Sequence, residues 1–404
     1  MVQLMLDGLG GDQRRMSRNS RQCSGGQGIE CYHVNARFSD NLQDIGHVRV
    51  AKFFLLIGYC LQAILFRFRY GLDTLYYIPA PGKRTALYRD WVVLSLCRPF
   101  FRRTVLHWHA AGLAKWLERE ANLQTRKVTF AAYKHADLSL VLSDFNRLDA
   151  EKMLALRVEK LPNGIPDPCP GFEQAVLPRR RARALARGKL LAGQQLTAAD
   201  LVNAEPAPEI IQVLFLGHCM RTKGVFDAVE TVAKANENYR KAGLPLRVHL
   251  NVAGEFVDAG ERAEFERRIQ SSGGEPWVTY LGFVSGERKR TALQESDCMC
   301  FPSYYPAESF GLVLVEAMAF GLPIVTTRWR SLPELFPTNY AGLVEICQPE
   351  QGAAALQKLM SESTGEEMRA LFLERFTIDR FLSRLAEVLR GLDTNPPKYR
   401  EPWN

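Results

Sequence analysis

The chain has 404 residues, 47% of them hydrophobic, and a net charge of +8. That length exceeds a single ordinary core and predicts two domains, and the hydrophobic share is that of a soluble globular protein. The basic excess belongs wholly to residues 1–165, with 24 Lys and Arg against 14 Asp and Glu, while the remainder holds 28 against 30. Such a patch suits an anionic membrane surface or an anionic acceptor. Nothing resembles a base-reading module, so nucleic acid ranks last among the partners of such a patch and none is expected.

At the start of the chain, Val2, Met5, Leu6 and Leu9 fall at helical spacing, and the polar stretch from Gly10 to Gln27 reads as a loop. Residues 28–35 read as a strand. The apolar run Phe53–Phe66, interrupted by Gly58 and Gln62, falls short of the roughly 20 residues needed to span a bilayer. It reads as a buried domain helix, with an interfacial helix flanked by Lys52, Arg67 and Arg69 as the alternative. No secretory signal is visible.

Strands follow at Thr74–Ile78, Thr104–Trp108 and Leu138–Leu142, with helical segments at Leu87–Cys97 and Asp144–Leu156. His107 and His109, at the end of the second of these strands, point to the same side. No third ligand has suitable spacing, so no metal site is expected. Nine cysteines fit no paired or metal-ligand pattern and read as free thiols of a reducing compartment. Residues 167–208, with a proline cluster and a run of arginines, read as an interdomain insertion carrying a solvated, partly mobile helix.

Beyond it, strands are predicted at Gln212–Leu216, Arg247–Ala253, Val278–Leu281, Cys298–Phe301 and Ile324–Thr327. Helices are predicted at Val225–Ala242, Gly260–Ser271, Gly311–Phe320, Gly352–Met360, Gly365–Phe376 and Ile378–Leu392, ahead of a proline-rich tail. The helix from Gly311 is flanked by two carboxylates, Glu308 and Glu316, at most about 12 Å apart at the helical rise of about 1.5 Å per residue. Its glycine-led N-terminus, at the end of an apolar strand, offers unpaired N–H groups and a positive dipole end to a diphosphate.

The segment Glu308–Pro323, with its flanks Phe301–Tyr305 and Leu332–Glu334, resembles the E-x7-E signature of the retaining glycosyltransferases of family 4. The resemblance is strong from about Leu161 onward and looser before. It implies an α/β chain of GT-B fold, two Rossmann-like domains whose parallel sheets face a central cleft. The boundaries expected are 1–165 for the acceptor-side domain, 166–209 for the linker and insertion, 210–376 for the donor domain, and 377–404 for the crossing helix and tail. It implies a metal-independent, hexosyltransferase-type enzyme (EC 2.4) that needs no cofactor. A sugar would pass from a nucleotide-sugar donor to a hydroxyl acceptor, lipid-linked or an anionic glycan, in cell-surface glycan or polysaccharide synthesis. The expected location is cytoplasmic, with peripheral contact at the inner membrane face through the basic first domain.

The same resemblance assigns residues. Glu308 would hold sugar hydroxyls, Glu316 the ribose, and the backbone of Phe310, Gly311 and Leu312 the distal phosphate. In Gly217–His218–Cys219–Met220–Arg221–Thr222–Lys223–Gly224, Lys223 takes the position of a phosphate-binding lysine. His218 stands where the family usually carries Arg, and Arg221 is the candidate substitute. Phe283 and Val284 would receive the base, and His109 would touch the donor sugar.

If the first segment is a helix, the opening strand and glycine loop of the first GT-B domain are missing from the front of the chain. The alternative, Val2–Leu6 as that strand and Gly8–Gly11 as the loop, requires a helix at Asp12–Cys23 that has almost no apolar face. The truncated reading admits a second function, a nucleotide-sugar-binding protein with little or no turnover. A phosphorylase or sugar-nucleotide epimerase is the third reading, against which the intact pair Glu308 and Glu316 argues.

Overall fold

The computed structural model describes residues 5, 9, 13–17, 20–23, 29–36 and 50–394, apart from 203, 205–206, 272–276 and 363–364. The chain divides into two compact units, one of Met1–Gly164 with Ile378–Asn404, the other of Ile165–Thr377.

The first unit opens with an antiparallel meander of β1 (Gln13–Ser17), β2 (Ser20–Cys23) and β3 (Cys31–Val34). This corrects the loop expected at Gly10–Gln27. Polar strands joined by backbone bonds carry no hydrophobic alternation for a sequence reading to find. Helix α1 (Val50–Arg69) follows, then β4 (Thr74–Tyr77), α2 (Arg84–Cys97), β5 (Arg103–Trp108), α3 (Leu123–Tyr133), β6 (Leu138–Val141) and β7 (Val158–Lys160). The four strands β4 to β7 pair in parallel in chain order.

Alternation along β5 sends Leu106 and Trp108 to a core with Leu87 and Leu94 of α2, and Val105 to a second core on the other face. That second core includes Met5 and Leu9, both helical, so the helical reading holds at these two positions. Val2, Leu6 and Gly8–Gly11 lie outside the described residues. Asp90 of α2 is fully buried and satisfied, accepting from Tyr77 Oη and Ala80 N at 2.6 Å and from Tyr133 Oη.

In the second unit, α4 (Leu177–Leu191) precedes β8 (Ile210–Leu216), α5 (Val225–Lys241) and β9 (Arg247–Ala253). Then come β10 (Val278–Gly282), α6 (Gly286–Glu295), β11 (Cys298–Phe301), α7 (Leu312–Ala319), β12 (Ile324–Thr327) and β13 (Leu343–Val344). The six strands are parallel in the order β10-β9-β8-β11-β12-β13. Helix α8 (Ile378–Thr394) belongs to the first unit, where Phe381, Leu385 and Val388 fill the core under β5 and β6.

Helix α4 corrects the solvated insertion. Arg180, Arg183 and Arg187 recur at helical spacing and are all buried. Arg183 Nε and Arg187 Nη2 grip the two oxygens of buried Asp297 at 2.8 and 2.5 Å, and Arg187 also donates to Pro208 O and Ile210 O. Burial pushes the Asp297 carboxyl up, yet the two guanidinium charges outweigh it and hold it below its ordinary value. The arginines fasten the insertion to the sheet.

Candidate functional site

In the sheet of the second unit the order in which the chain adds strands reverses between β8 and β11, which pair in parallel at Val213 and Cys298. At such a point the connections leave to opposite faces, and the carboxyl ends of the two strands border a crevice suited to a ligand. Residues 217–224 leave β8 there, and residues 302–311 leave β11. The loops are tied to each other by Tyr304 N, which donates to Thr222 O at 2.8 Å.

Gly224 ends the first loop with φ of 83° and caps α5; a Cβ there would lie 2.3 Å from Pro302 O, so only glycine permits this approach. Beside it, Lys223 Nζ lies 2.8 Å from Glu308 Oε2, with its charge over the Tyr305 ring at 4.5 Å. Ser303 Oγ donates to the same carboxylate oxygen at 3.1 Å, and Glu308 is buried. A buried, paired carboxylate beside a lysine can exchange that partner for hydroxyl and phosphate oxygens of a ligand.

Gly311, at φ of 79°, is the N-cap of α7; Leu314 N donates back to Gly311 O at 2.9 Å, and the N–H groups of Leu312 and Val313 open the helix. A Cβ there would press to 2.8 Å from Leu332 Cδ2. Phe310 is buried and Leu312 half exposed at the helix entry. One turn on, Glu316 Oε2 pairs with Lys289 Nζ of α6 at 2.6 Å. The far end of α7 is held by two buried cations. Arg180 Nη1 donates to Phe320 O at 2.5 Å and Gly321 O at 2.6 Å, while Arg369 Nη1 donates to Ala319 O and to Asp167, each at 2.8 Å. Cations here complement the C-terminal end of the helix dipole and fix the helix that carries Glu316.

Of the remaining expected residues, Gly217 directly follows β8 and His218 is exposed beside it. Arg221 does not stand free for a phosphate. Its guanidinium bonds Glu264 and stacks 4.4 Å from the Phe226 ring centroid. Phe283, past the end of β10, is 62% exposed while Val284 is buried, so the loop offers an aromatic face to a flat ligand. Lys289 was missed by sequence reasoning because α6 begins Gly-Glu-Arg-Lys-Arg, a polar stretch without a helical apolar stripe; Ser285 in the N-cap position was the available signal.

In the first unit, the rings of His107 and His109 lie 4.1 Å apart, on one side as alternation requires. Tyr76 Oη lies 2.5 Å from His107 Nδ1. Both Nε2 atoms are buried with no hydrogen-bond partner among the described residues, a condition that a ligand hydroxyl would relieve. Burial depresses both imidazoles, that of His109 to about 4. Among the described residues no group of three His, Cys, Asp or Glu is placed to hold a metal ion.

Residues 203–374 match the family model of glycosyl transferases group 1. The matched region is less than half of the chain. The glycosyl transferases group 1 region contains Lys223, Lys289, Glu308 and Glu316 together. Among curated relatives, the D-inositol 3-phosphate glycosyltransferase of Corynebacterium urealyticum is 30% identical over 197 residues, 46% of this chain and 45% of the relative. The phosphatidyl-myo-inositol mannosyltransferase of Mycolicibacterium smegmatis is 31% identical over 135 residues, 33% of this chain and 34% of the relative. The chain thus spans less than half the length of these curated relatives.

Solved structures match over more of the chain. HepE of Anabaena, solved in complex with UDP and glucose, gives a TM-score of 0.57 at 17% identity, covering 83% of this chain and 81% of that one. An Escherichia coli trehalose-6-phosphate structure bound with UDP-2-fluoro glucose gives 0.62 at 13% identity, covering 98% and 96%. Such likeness shows the fold, which is GT-B with two parallel-sheet α/β units.

Proposed function

We propose that the protein is a retaining glycosyltransferase that moves a sugar from a nucleoside diphosphate sugar to a hydroxyl acceptor. The observation that carries the reading is the Lys223–Glu308 pair where the strand order reverses, beside the N-terminal end of α7. One arrangement supplies a cation, a dipole end and a carboxylate, which a diphosphate and a sugar need together. Glu316, released from Lys289, is the ribose ligand, and the backbone of Phe310, Gly311 and Leu312 receives the distal phosphate. Phe283 and Val284 border the base. His109, neutral at physiological pH, serves the donor sugar.

In this reaction the bond from the anomeric carbon to the diphosphate oxygen breaks, and the acceptor oxygen bonds that carbon on the same face. The acceptor proton goes to the departing diphosphate, so no side chain need be a strong base. Lys223 and the α7 N-terminus stabilise the charge that grows on the leaving group. No step is assigned to a metal or a cofactor, and turnover is expected to continue in exhaustive chelator. We place the enzyme in the cytoplasm, in surface glycan or polysaccharide synthesis; buried free thiols at Cys60, Cys97, Cys169, Cys298 and Cys300 support a reducing compartment.

Incubation with UDP-, GDP- and ADP-sugars, following nucleotide release and the anomeric configuration of the product by NMR, tests this. Release from one donor, with retained configuration and loss in Glu308→Gln, is expected. No release from any donor, or an inverted product, contradicts it.

A further inference from the structure

Helix α1 has an outward face that an ordinary surface helix lacks. Such a helix places charge toward water, yet at 100° per residue Phe54, Leu61, Leu65 and Phe68 fall within an arc of about 60°. Phe54, Leu65 and Phe68 are 68%, 65% and 68% exposed. Phe53 and Leu55 flank the stripe and are also about half exposed, while Leu56 and Cys60 on the opposite side anchor the helix to Leu75, Cys97 and Phe101. The stripe continues off the helix, since Phe68 meets the exposed Phe100 ring edge-on at 6.1 Å. A contiguous apolar patch of this kind marks an interaction site.

The charge around it selects the partner. Residues 50–103 hold nine Lys and Arg against two Asp, a net +7, and the buried Asp90 and Arg98 offset each other. Along α1 itself the cations sit only toward the ends, with Arg67 and Arg69 in the last turn. Two copies of so basic a face would repel, whereas an anionic bilayer offers both the charge and the apolar depth. The helix is about 30 Å long at 1.5 Å per residue, and no described helix is long and apolar enough to cross a membrane. We propose that α1 lies flat in the surface of an anionic phospholipid bilayer, its Phe and Leu stripe among the acyl chains and the surrounding arginines at the phosphates.

Flotation of the full chain with phosphatidylcholine vesicles, with and without an equal part of phosphatidylglycerol, tests this without any readout of sugar transfer. The chain should float with the anionic vesicles at least about tenfold better than with the neutral ones. The triple variant Phe54→Ser, Leu65→Ser, Phe68→Ser should lose that partition while keeping its thermal melting, as the altered side chains are exposed. As a second handle that keeps the stripe apolar, Leu61→Trp should show a blue-shifted emission on adding anionic vesicles. Failure of the parent to float with either vesicle overturns the proposal. So does an unshifted emission of the Trp variant, or a dimer seen by light scattering that the triple variant dissolves, which would make a second copy the occupant.

Discussion

Helices α1 and α4 exchange the roles that their compositions predict. The apolar α1 reads as buried and instead exposes most of its large side chains, while the arginine-rich α4 reads as solvated and instead buries three guanidinium groups. What decides burial is the partner available, not the polarity of the segment. Asp297 and the carbonyls at the end of α7 satisfy the arginines of α4, and a satisfied charge can be buried. The outer face of α1 stays largely exposed, with Phe54, Leu65 and Phe68 each about two-thirds accessible.

The contrast is broken most forcefully at Asp297. Asp297→Ala leaves two buried guanidinium groups uncompensated and should cost about 3–5 kcal/mol of stability. Denaturant unfolding measures it, and a midpoint equal to that of the parent would show that α4 is not fastened in this way.

A second test lies in the first unit, where burial holds His109 at about 4 and lowers His107 well below its ordinary value. An imidazole kept neutral in the folded chain contributes stability that is full above the ordinary value of 6.5. That stability is lost as pH falls from 6.5 toward 4, because the unfolded chain then binds more protons. The shift of His109 corresponds to on the order of 3 kcal/mol. Unfolding followed across that window should show the loss, and His109→Gln should make it shallower, leaving the part that His107 contributes.

Arg180→Met removes two hydrogen bonds from the end of α7, at a cost of about 1.5–3 kcal/mol for a charged donor. It should also weaken nucleotide binding, because Glu316 rides on the same helix. An unchanged affinity would limit α4 to a purely structural role. The smallest effect is expected for single Ser substitutions on the exposed stripe of α1, within about 0.5 kcal/mol.

The sequence exposes the second unit more fully than the first, for a physical reason. Strands β11 and β12 lie within a parallel sheet and read as short buried runs, β9 reads by alternation, and the limits of all three match the structure. Lys223, Glu308 and Glu316 were legible because loops at strand ends carry local patterns. Lys289 was not, since its pairing with Glu316 joins two helices and leaves no trace in spacing. The β1–β3 meander escaped for lack of apolar alternation, and the burial of α4 escaped because its partner Asp297 lies 110 residues from Arg187.

The central claim is that the end of α7, Lys223 and Glu316 together hold a nucleoside diphosphate. Calorimetric titration with UDP, GDP and ADP of the parent, Lys223→Met and Glu316→Ala tests it most directly. The account predicts that the parent binds one of the three, and that each variant loses about tenfold or more in affinity, as expected for removal of a charged hydrogen-bonding group worth roughly 1.5–3 kcal/mol. Binding of that nucleotide by both variants as tightly as by the parent would contradict the account.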